Sequence, residues 1–152
     1  MTDMRSLYPL AEKAPERVST PTGKPLSDLT LDAVLAGRIA PEDLAITPQA
    51  LLLQAEIARA MQRHTLARNF ERAADLVGVP QDVILETYEM LRPGRAENAQ
   101  ALRERAQMLR RDYDAHHIAD LVGEPAHFCG RRGIFTKRYC PAVVLGLAEP
   151  PQ

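Results

Sequence analysis

Three polar residues in the second half of the chain have the spacing of metal ligands. Asp112, His116 and Asp120 follow one another at intervals of four, which on one continuous helix would place all three on the same face. Carboxylate and imidazole groups together suit zinc and related ions. At a rise of about 1.5 Å per residue, however, the first and third would lie ~12 Å apart and could not share one ion. The spacing therefore favours surface charge pairing, and the adjacent His117 adds little to a metal interpretation.

Cys129 and Cys140 are the two thiols of the chain. They form neither a CxxC pair nor a disulfide framework, which indicates a reducing compartment. Basic neighbours such as Arg131 and Lys137 would favour a reactive thiolate. Nucleophilic catalysis also needs a base that activates the thiol, and the sequence places none beside either cysteine. We therefore predict unreactive thiols.

A possible DNA-binding corner lies at Ala74, Gly78 and Ile84, whose spacing is that of a helix-turn-helix. The second helix of such a unit must lie beside DNA phosphates. The segment Gln81 to Met90 carries acidic residues and neither Lys nor Arg, which opposes that contact. A glycine-stopped corner between two packed helices explains the same residues, and a free-standing helical DNA-binding regulator is kept as the alternative.

Composition narrows the classes of function further. The net charge of −1 and the 5% aromatic content with no Trp weigh against nucleic acid, anionic membrane and base-stacking ligands. The segment Met1 to Leu10 has no apolar signal region, and no apolar run is long enough to span a membrane, so we expect a cytoplasmic protein. Phosphate-loop, zinc-protease and nucleophile-elbow motifs are missing as well. We predict no catalytic, cofactor-binding or metal-binding residue on this chain.

Helical signals dominate the middle of the chain. A short helix is predicted from Leu31 to Ala36, capped by Asp28 or Thr30 and stopped at Gly37. Thr47 and Pro48 mark the start of the next helix, because a hydroxyl can cap the first amides and proline is tolerated at the first helical position. Apolar residues then recur at helical spacing up to Val77. Whether this run breaks near His64 stays open at this point.

Two further helices are predicted after Gly78. The first ends before Pro93 and Gly94, with Ile84, Tyr88 and Leu91 on one face. The second is one long helix from about Ala96 to about Leu121, with heptad-like apolar spacing that requires a partner helix.

The predicted fold class is mostly α: a small helical domain with an extended N-terminal arm and an irregular C-terminal tail. Pro and Gly residues make residues 1–30 an arm, residues 31–121 form the helical body, and residues 122–152 form a tail of uncertain structure. An arm on so small a chain becomes ordered only against another surface, such as a neighbouring subunit.

Several stretches of the sequence resemble one family, the small (gamma) subunit of adenosylcobalamin-dependent glycerol and propanediol dehydratases. The resemblance runs from about residue 7 to about residue 120 and does not extend into the C-terminal segment. Thr20 to Leu26 and Met61 to His64 are more similar to the glycerol dehydratases. The stretches that carry the resemblance are Tyr8–Leu10, Thr20–Leu26, Leu29–Asp32, Ile46–Leu51, Gln54–Ala60, Met61–His64, Ala67–Ala74, Ile84–Tyr88 and Leu91–Pro93.

The resemblance implies a non-catalytic role within a larger enzyme. Members of this family pack on a large subunit that holds the substrate, a medium subunit completes the adenosylcobalamin site, and the assembly is a dimer of heterotrimers. The implied reaction is radical dehydration of a vicinal diol to an aldehyde, in the cytoplasm or inside a bacterial microcompartment. Tyr8, Leu10, Phe70 and Tyr88 are our candidates for the subunit interface, because large apolar anchors dominate such contacts. For Phe70 and Tyr88 core packing is an equal alternative.

Overall fold

The computed structural model describes residues 3–92 and 95–132, with side chains as far as Ala126. Within these residues the chain is helical and contains no strand, apart from a single bridge between Ser19 and Pro25. The mostly α prediction is confirmed. The α-helices are α1 (Leu10–Lys13), α2 (Leu31–Leu35), α3 (Pro48–Ala60), α4 (His64–Val77), α5 (Gln81–Leu91), α6 (Ala99–Tyr113) and α7 (His116–Arg132), and short 3-10 helices cover Met4–Leu7, Pro15–Arg17, Leu26–Asp28 and Pro41–Leu44.

The chain divides into two compact units, residues 1–78 and residues 79–152. The first unit contains α1 to α4 and the second contains α5 to α7. The sequence-based division into an arm, a body and a tail, with boundaries at residues 30 and 121, stays a prediction.

The N-terminal arm is made of short helical turns joined by extended residues, and in this it differs from the continuous extended segment that was expected. Leu7, Leu10 and Ala14 are buried against Ile57 of α3. Burial of a leucine side chain stabilises a fold by roughly 1.5–3 kcal/mol. Arg5 adds a hydrogen bond from Nε to the carbonyl oxygen of Ala60, at 2.9 Å. The arm is therefore ordered by α3 of the same chain.

The predicted starts of α2 and α3 are confirmed. Thr30 caps α2, with its hydroxyl accepting a hydrogen bond from the Ala33 amide at 3.2 Å. Gly37 follows this helix with φ of 69°, a backbone conformation that glycine adopts without steric cost. Thr47 caps α3 in the same way, through the Ala50 amide at 3.2 Å, and Pro48 is the first helical residue.

The long helical run from Pro48 to Val77 is broken into α3 and α4. The break lies at residues 61–63, where Gln62 has φ of 62°. After this turn α4 packs back against α3. Small buried residues meet at the contact, namely Ala55, Ala58 and Ala67, and their size lets the two backbones approach closely.

The single long helix predicted from Ala96 to Leu121 is wrong. The structure has two helices there, α6 and α7, joined by a turn in which Asp114 has φ of 54° and ψ of 24°. Aspartate adopts this left-handed conformation more readily than most residues with a Cβ. The Ala115 amide closes the turn by donating to the Leu109 carbonyl at 3.1 Å. The apolar face of α6 thus finds its partner helix immediately after the turn.

Residues 122–132 were predicted to be irregular, and the structure corrects this because α7 continues through Pro125 to Arg132. Proline removes one helical hydrogen bond. The helix nevertheless continues to bury one face, on which Val122 and Ala126 are 0% and 2% exposed. The expectations for residues 133–152, Cys140 among them, lie outside the described residues. None of the helices in the described part is long and apolar enough to cross a membrane.

Candidate functional site: an apolar groove in the first unit

The first unit contains an open groove of about 720 Å³ between the N-terminal arm and the corner of α3 and α4. We call it the arm groove. Its lining is mostly apolar. It is lined by Tyr8, Pro9, Leu10, Ala11, Val18, Ser19, Thr20, Leu26, Leu29, Asp43, Leu44, Ala45, Ile46, Thr47, Ala50, Gln54, Ile57, Ala58, Met61, Arg63, Leu66 and Phe70.

Large apolar side chains in this lining are unusually exposed. Tyr8 is 63% exposed, Leu44 69% and Ile46 48% along the N-terminal part, and Met61 is 43% and Leu66 39% exposed at the α3–α4 corner. Scattered apolar residues are normal on a protein surface, whereas several that line one concavity mark an interaction site. The arm groove has the character of a surface that another chain covers.

Asp43 fixes the N-terminal part of the groove. Its side chain is fully buried and accepts hydrogen bonds from the hydroxyls of Thr20 and Thr22, from Lys24 Nζ and from the Ala40 amide. The Lys24 ammonium, followed by the Thr22 hydroxyl and the Ala40 amide, holds the pKa of the Asp43 carboxyl well below its usual range, against the opposing effect of desolvation. The carboxylate therefore stays ionised and paired while the unit is folded.

The turn that presents these donors is closed by the backbone. The Thr20 amide donates to the Lys24 carbonyl at 2.9 Å, and Gly23 has φ of 85°, which favours glycine. Lys24 Nζ also donates to the Arg38 carbonyl at 2.9 Å. Residues 20–24 are thus attached to residues 38–43, and this attachment sets the positions of the neighbouring Leu44 and Ile46.

Arg63 supplies the charge of the groove. It is the exposed residue that precedes α4, and within the described part of the chain its guanidinium has no ion pair. The other charged lining residue, Asp43, is already paired. An incoming chain would therefore meet apolar walls and one available cation.

The four predicted interface residues occupy different environments. Tyr8 is exposed and lines the groove, while Leu10 is only 9% exposed and belongs to the core beneath it. Phe70 is half-buried, packs against Ala55, Ala58 and Ala67, and also lines the groove. Tyr88 is 62% exposed on α5 in the second unit. Three of the four are therefore near one surface, and the interface role of each stays a prediction.

The spacing that suggested a metal site does not bring its residues together on one helix. Asp112 belongs to α6, while His116 and Asp120 belong to α7. Each pairs with a different residue: Asp112 with Arg111, His116 with Asp114 and Asp120 with Arg110. Residues 3–92 and 95–126, whose side chains the structure describes, contain no group of three or more His, Cys, Asp and Glu that could hold a metal ion.

Sequence reasoning missed Leu44, Ile46 and Met61 as site residues. Leu44 and Ile46 lie at or beyond a helix end, where no periodic pattern identifies a buried or exposed face. Met61 belongs to the periodic apolar run that begins at Pro48, and the pattern does not show that α3 ends before it. Their residue type could have identified them, since large apolar residues in irregular segments are candidates for contacts with other chains. Two smaller exposed apolar faces occur on Leu31, Val34 and Leu35 of α2, and on Leu85 and Tyr88 of α5.

The helical architecture and the exposed apolar groove define a chain that functions through contact with other chains. Comparison with known proteins agrees. The model of the dehydratase small subunit family matches residues 4–136, and the chain belongs to this family. A small subunit implies a multi-subunit enzyme with other subunits. The DNA-binding alternative is not favoured.

Two relatives illustrate the similarity. The chain is 49% identical over 119 residues to a propanediol dehydratase small subunit of Citrobacter freundii, covering 78% of this chain and 69% of the relative. It is 48% identical over 131 residues to a propanediol dehydratase small subunit of Salmonella typhimurium strain LT2, covering 86% of this chain and 72% of that relative.

Proposed function

We propose that this chain is the non-catalytic small subunit of an adenosylcobalamin-dependent diol dehydratase. The reaction is the radical dehydration of a vicinal diol to an aldehyde and water, carried out on the large subunit. Propane-1,2-diol is the first candidate substrate, because both relatives carry that substrate in their names. Glycerol, which the resemblance of residues 20–26 and 61–64 favours, is the second.

The family match over residues 4–136 is the observation that supports this proposal most strongly. The arm groove adds independent support, since an apolar concavity is expected on a subunit that functions only when other chains cover it. Large and medium dehydratase subunits are the proposed partners, in a dimer of heterotrimers. A cytoplasmic location, free or within a bacterial microcompartment, is part of the proposal.

Adenosylcobalamin is assigned to the partner subunits. The described residues gather no set of metal ligands. The lining of the arm groove is mostly apolar, which does not fit a large cofactor rich in amide groups. No step of the reaction is therefore attributed to a residue of this chain.

An omission assay tests the proposal. The chain is expressed together with the large and medium subunits encoded beside it, and the complex is purified through a tag on the large subunit. Aldehyde formation is then measured with added adenosylcobalamin, using propane-1,2-diol and glycerol in separate reactions. We expect full activity and a stable hexamer only when all three chains are present, and no activity from this chain alone.

Two results would contradict the proposal. One is a complex of large and medium subunits that is equally active and equally stable without this chain. The other is turnover by this chain alone, which would assign it a catalytic role. The relative rates with the two diols identify the preferred substrate in the same experiment.

A further inference from the structure

The polar groups around the arm groove leave little for a small polar ligand to bind. The Thr20 hydroxyl is engaged by Asp43 and the Thr47 hydroxyl caps α3. In the described part of the chain, no buried side-chain nitrogen or oxygen lacks a hydrogen-bond partner. Recognition in this groove therefore comes chiefly from apolar contact, and the remaining polar residues of the lining are Ser19, Gln54 and Arg63.

The size and exposure of the groove suit side chains of another protein. The groove is open to solvent and has a volume of about 720 Å³, which leaves room for more than one side chain. Leu44, at 69% exposed, is the most accessible large aliphatic residue of the N-terminal part of the groove, and Met61, at 43%, is the most accessible at the α3–α4 corner. Interfaces of this kind are dominated by a few large apolar anchors that fill a pocket.

The charges in the lining determine which charged group an occupant carries beside its large apolar side chains. Arg63 lies in the lining of the groove. Asp43, the acidic residue of the lining, is already paired with Lys24. A basic segment would meet an uncompensated cation, whereas a carboxylate would form a charge-assisted hydrogen bond with the guanidinium. The lining therefore complements a segment that carries large apolar side chains together with an acidic residue.

We propose that the arm groove is the docking site for a segment of a partner subunit that carries large apolar side chains beside a carboxylate. The apolar side chains fill the space between Leu44 and Met61, and the carboxylate pairs with Arg63. This inference rests on the proposed function for the existence of partner subunits, and it adds the surface and the chemistry by which one of them binds.

Charge and wall variants test the inference in the complete complex. Leu44→Glu, Met61→Glu and Arg63→Glu are each co-expressed with the partner subunits, and the affinity of this chain for the purified partners is measured. We expect each to weaken binding about tenfold or more, as loss of an anchor does. Arg63→Lys keeps the positive charge and is expected to bind within about threefold of the natural chain.

Matched controls lie outside the groove. Leu52→Glu changes a leucine of α3 that is 42% exposed and does not line the groove, and Arg68→Glu reverses a charge on the exposed side of α4. Both should bind as the natural chain does. Circular dichroism and thermal unfolding of each variant establish that the fold is intact, so that weaker binding is attributable to the groove.

Photo-crosslinking identifies the occupant directly. A benzoyl-phenylalanine placed at position 61 is expected to crosslink to a partner peptide with an Asp or Glu within one helical turn of a large apolar residue. A crosslink to a second copy of this chain, or to a peptide without an acid, would overturn the inference. If the natural chain binds no partner subunit, the proposed function fails; if it binds and the groove variants bind equally well, only the docking site is wrong.

Discussion

Asp43 is a buried charged residue at the centre of a hydrogen-bond network in the first unit. Its buried carboxylate accepts hydrogen bonds from Thr20, Thr22, Lys24 and the Ala40 amide. A buried charge is tolerable only when it is paired and hydrogen-bonded, and removal of the charge leaves the donors around it unsatisfied. The network joins residues 20–24 to residues 40–43.

The sign of the pH dependence follows from the lowered pKa of Asp43. A carboxyl whose pKa is lower in the folded state contributes stability at every pH above its unfolded-state pKa, which is about 3.9 for aspartate. That contribution is lost as the pH falls below this value and the unfolded chain takes up the proton. At neutral pH the contribution is complete.

We predict that Asp43→Asn lowers the thermal midpoint at pH 7 and that the difference from the natural chain becomes smaller on acidification below about pH 4. Glu56→Gln, at an exposed position in the middle of α3, is the matched control and should leave the midpoint unchanged. Thermal unfolding followed by circular dichroism between pH 3 and pH 8 measures both. Equal midpoints for the two variants at pH 7 would show that the network does not stabilise the unit.

At the scale of elements, the two helix breaks share one backbone feature. Gln62 between α3 and α4, and Asp114 between α6 and α7, both have positive φ although neither is glycine. Helix stops are recognised in sequences from Gly and Pro, and neither residue type marks these turns. The helical character of these segments was predictable, whereas the breaks depend on the packing of each helix pair.

The N-terminal arm and the groove also show that local sequence patterns do not predict contacts between distant residues. Thr30, Thr47 and Pro48 act within a few residues of their own positions, and the sequence located the starts of α2 and α3 from them. The groove walls at Leu44 and Ile46 are positioned by hydrogen bonds between residues 20–24 and residue 43. Contacts over such separations leave no local pattern, so the groove could not be predicted. Tyr8 and Phe70, which were predicted as interface residues, line it.

We predict that Asp114→Val destabilises the chain by about 1–2 kcal/mol, because a β-branched residue is strained in the left-handed conformation. Asp114→Gly should retain the turn. Gln107→Val places the same side chain at an exposed right-handed position of α6 and should cost less than about 0.5 kcal/mol. Urea unfolding measures the three values. A valine that costs the same at both positions would contradict the role of the turn.

At the scale of the whole molecule, the exposed apolar surface of the isolated chain implies that partners contribute to its stability. Tyr8, Leu44 and Met61 remain in contact with water until another chain covers them. A partner that binds only the folded chain stabilises it by mass action, by about 2.7 kcal/mol at a hundredfold excess over the dissociation constant. The stability of this subunit is therefore a property of the assembly.

We predict that the thermal midpoint of this chain rises by about 5–10 °C in a hundredfold excess of its partner subunits over the dissociation constant, and that the rise depends on their concentration. Differential scanning calorimetry at several partner concentrations measures it. The Met61→Glu chain is the matched comparison and should show a smaller rise at each concentration. A midpoint that does not change with partner concentration would contradict the prediction.

The pairing of neighbouring helices also has a consequence for biosynthesis. α3 packs chiefly with α4, and α6 with α7, so that most stabilising contacts join residues that are close in the sequence. Chains with such local contacts fold in microseconds to milliseconds, far faster than ribosomes add residues. We expect each helical hairpin to form during translation, soon after its second helix leaves the ribosome. The subunit then reaches its partners already folded, and the order of assembly is set by docking and not by folding.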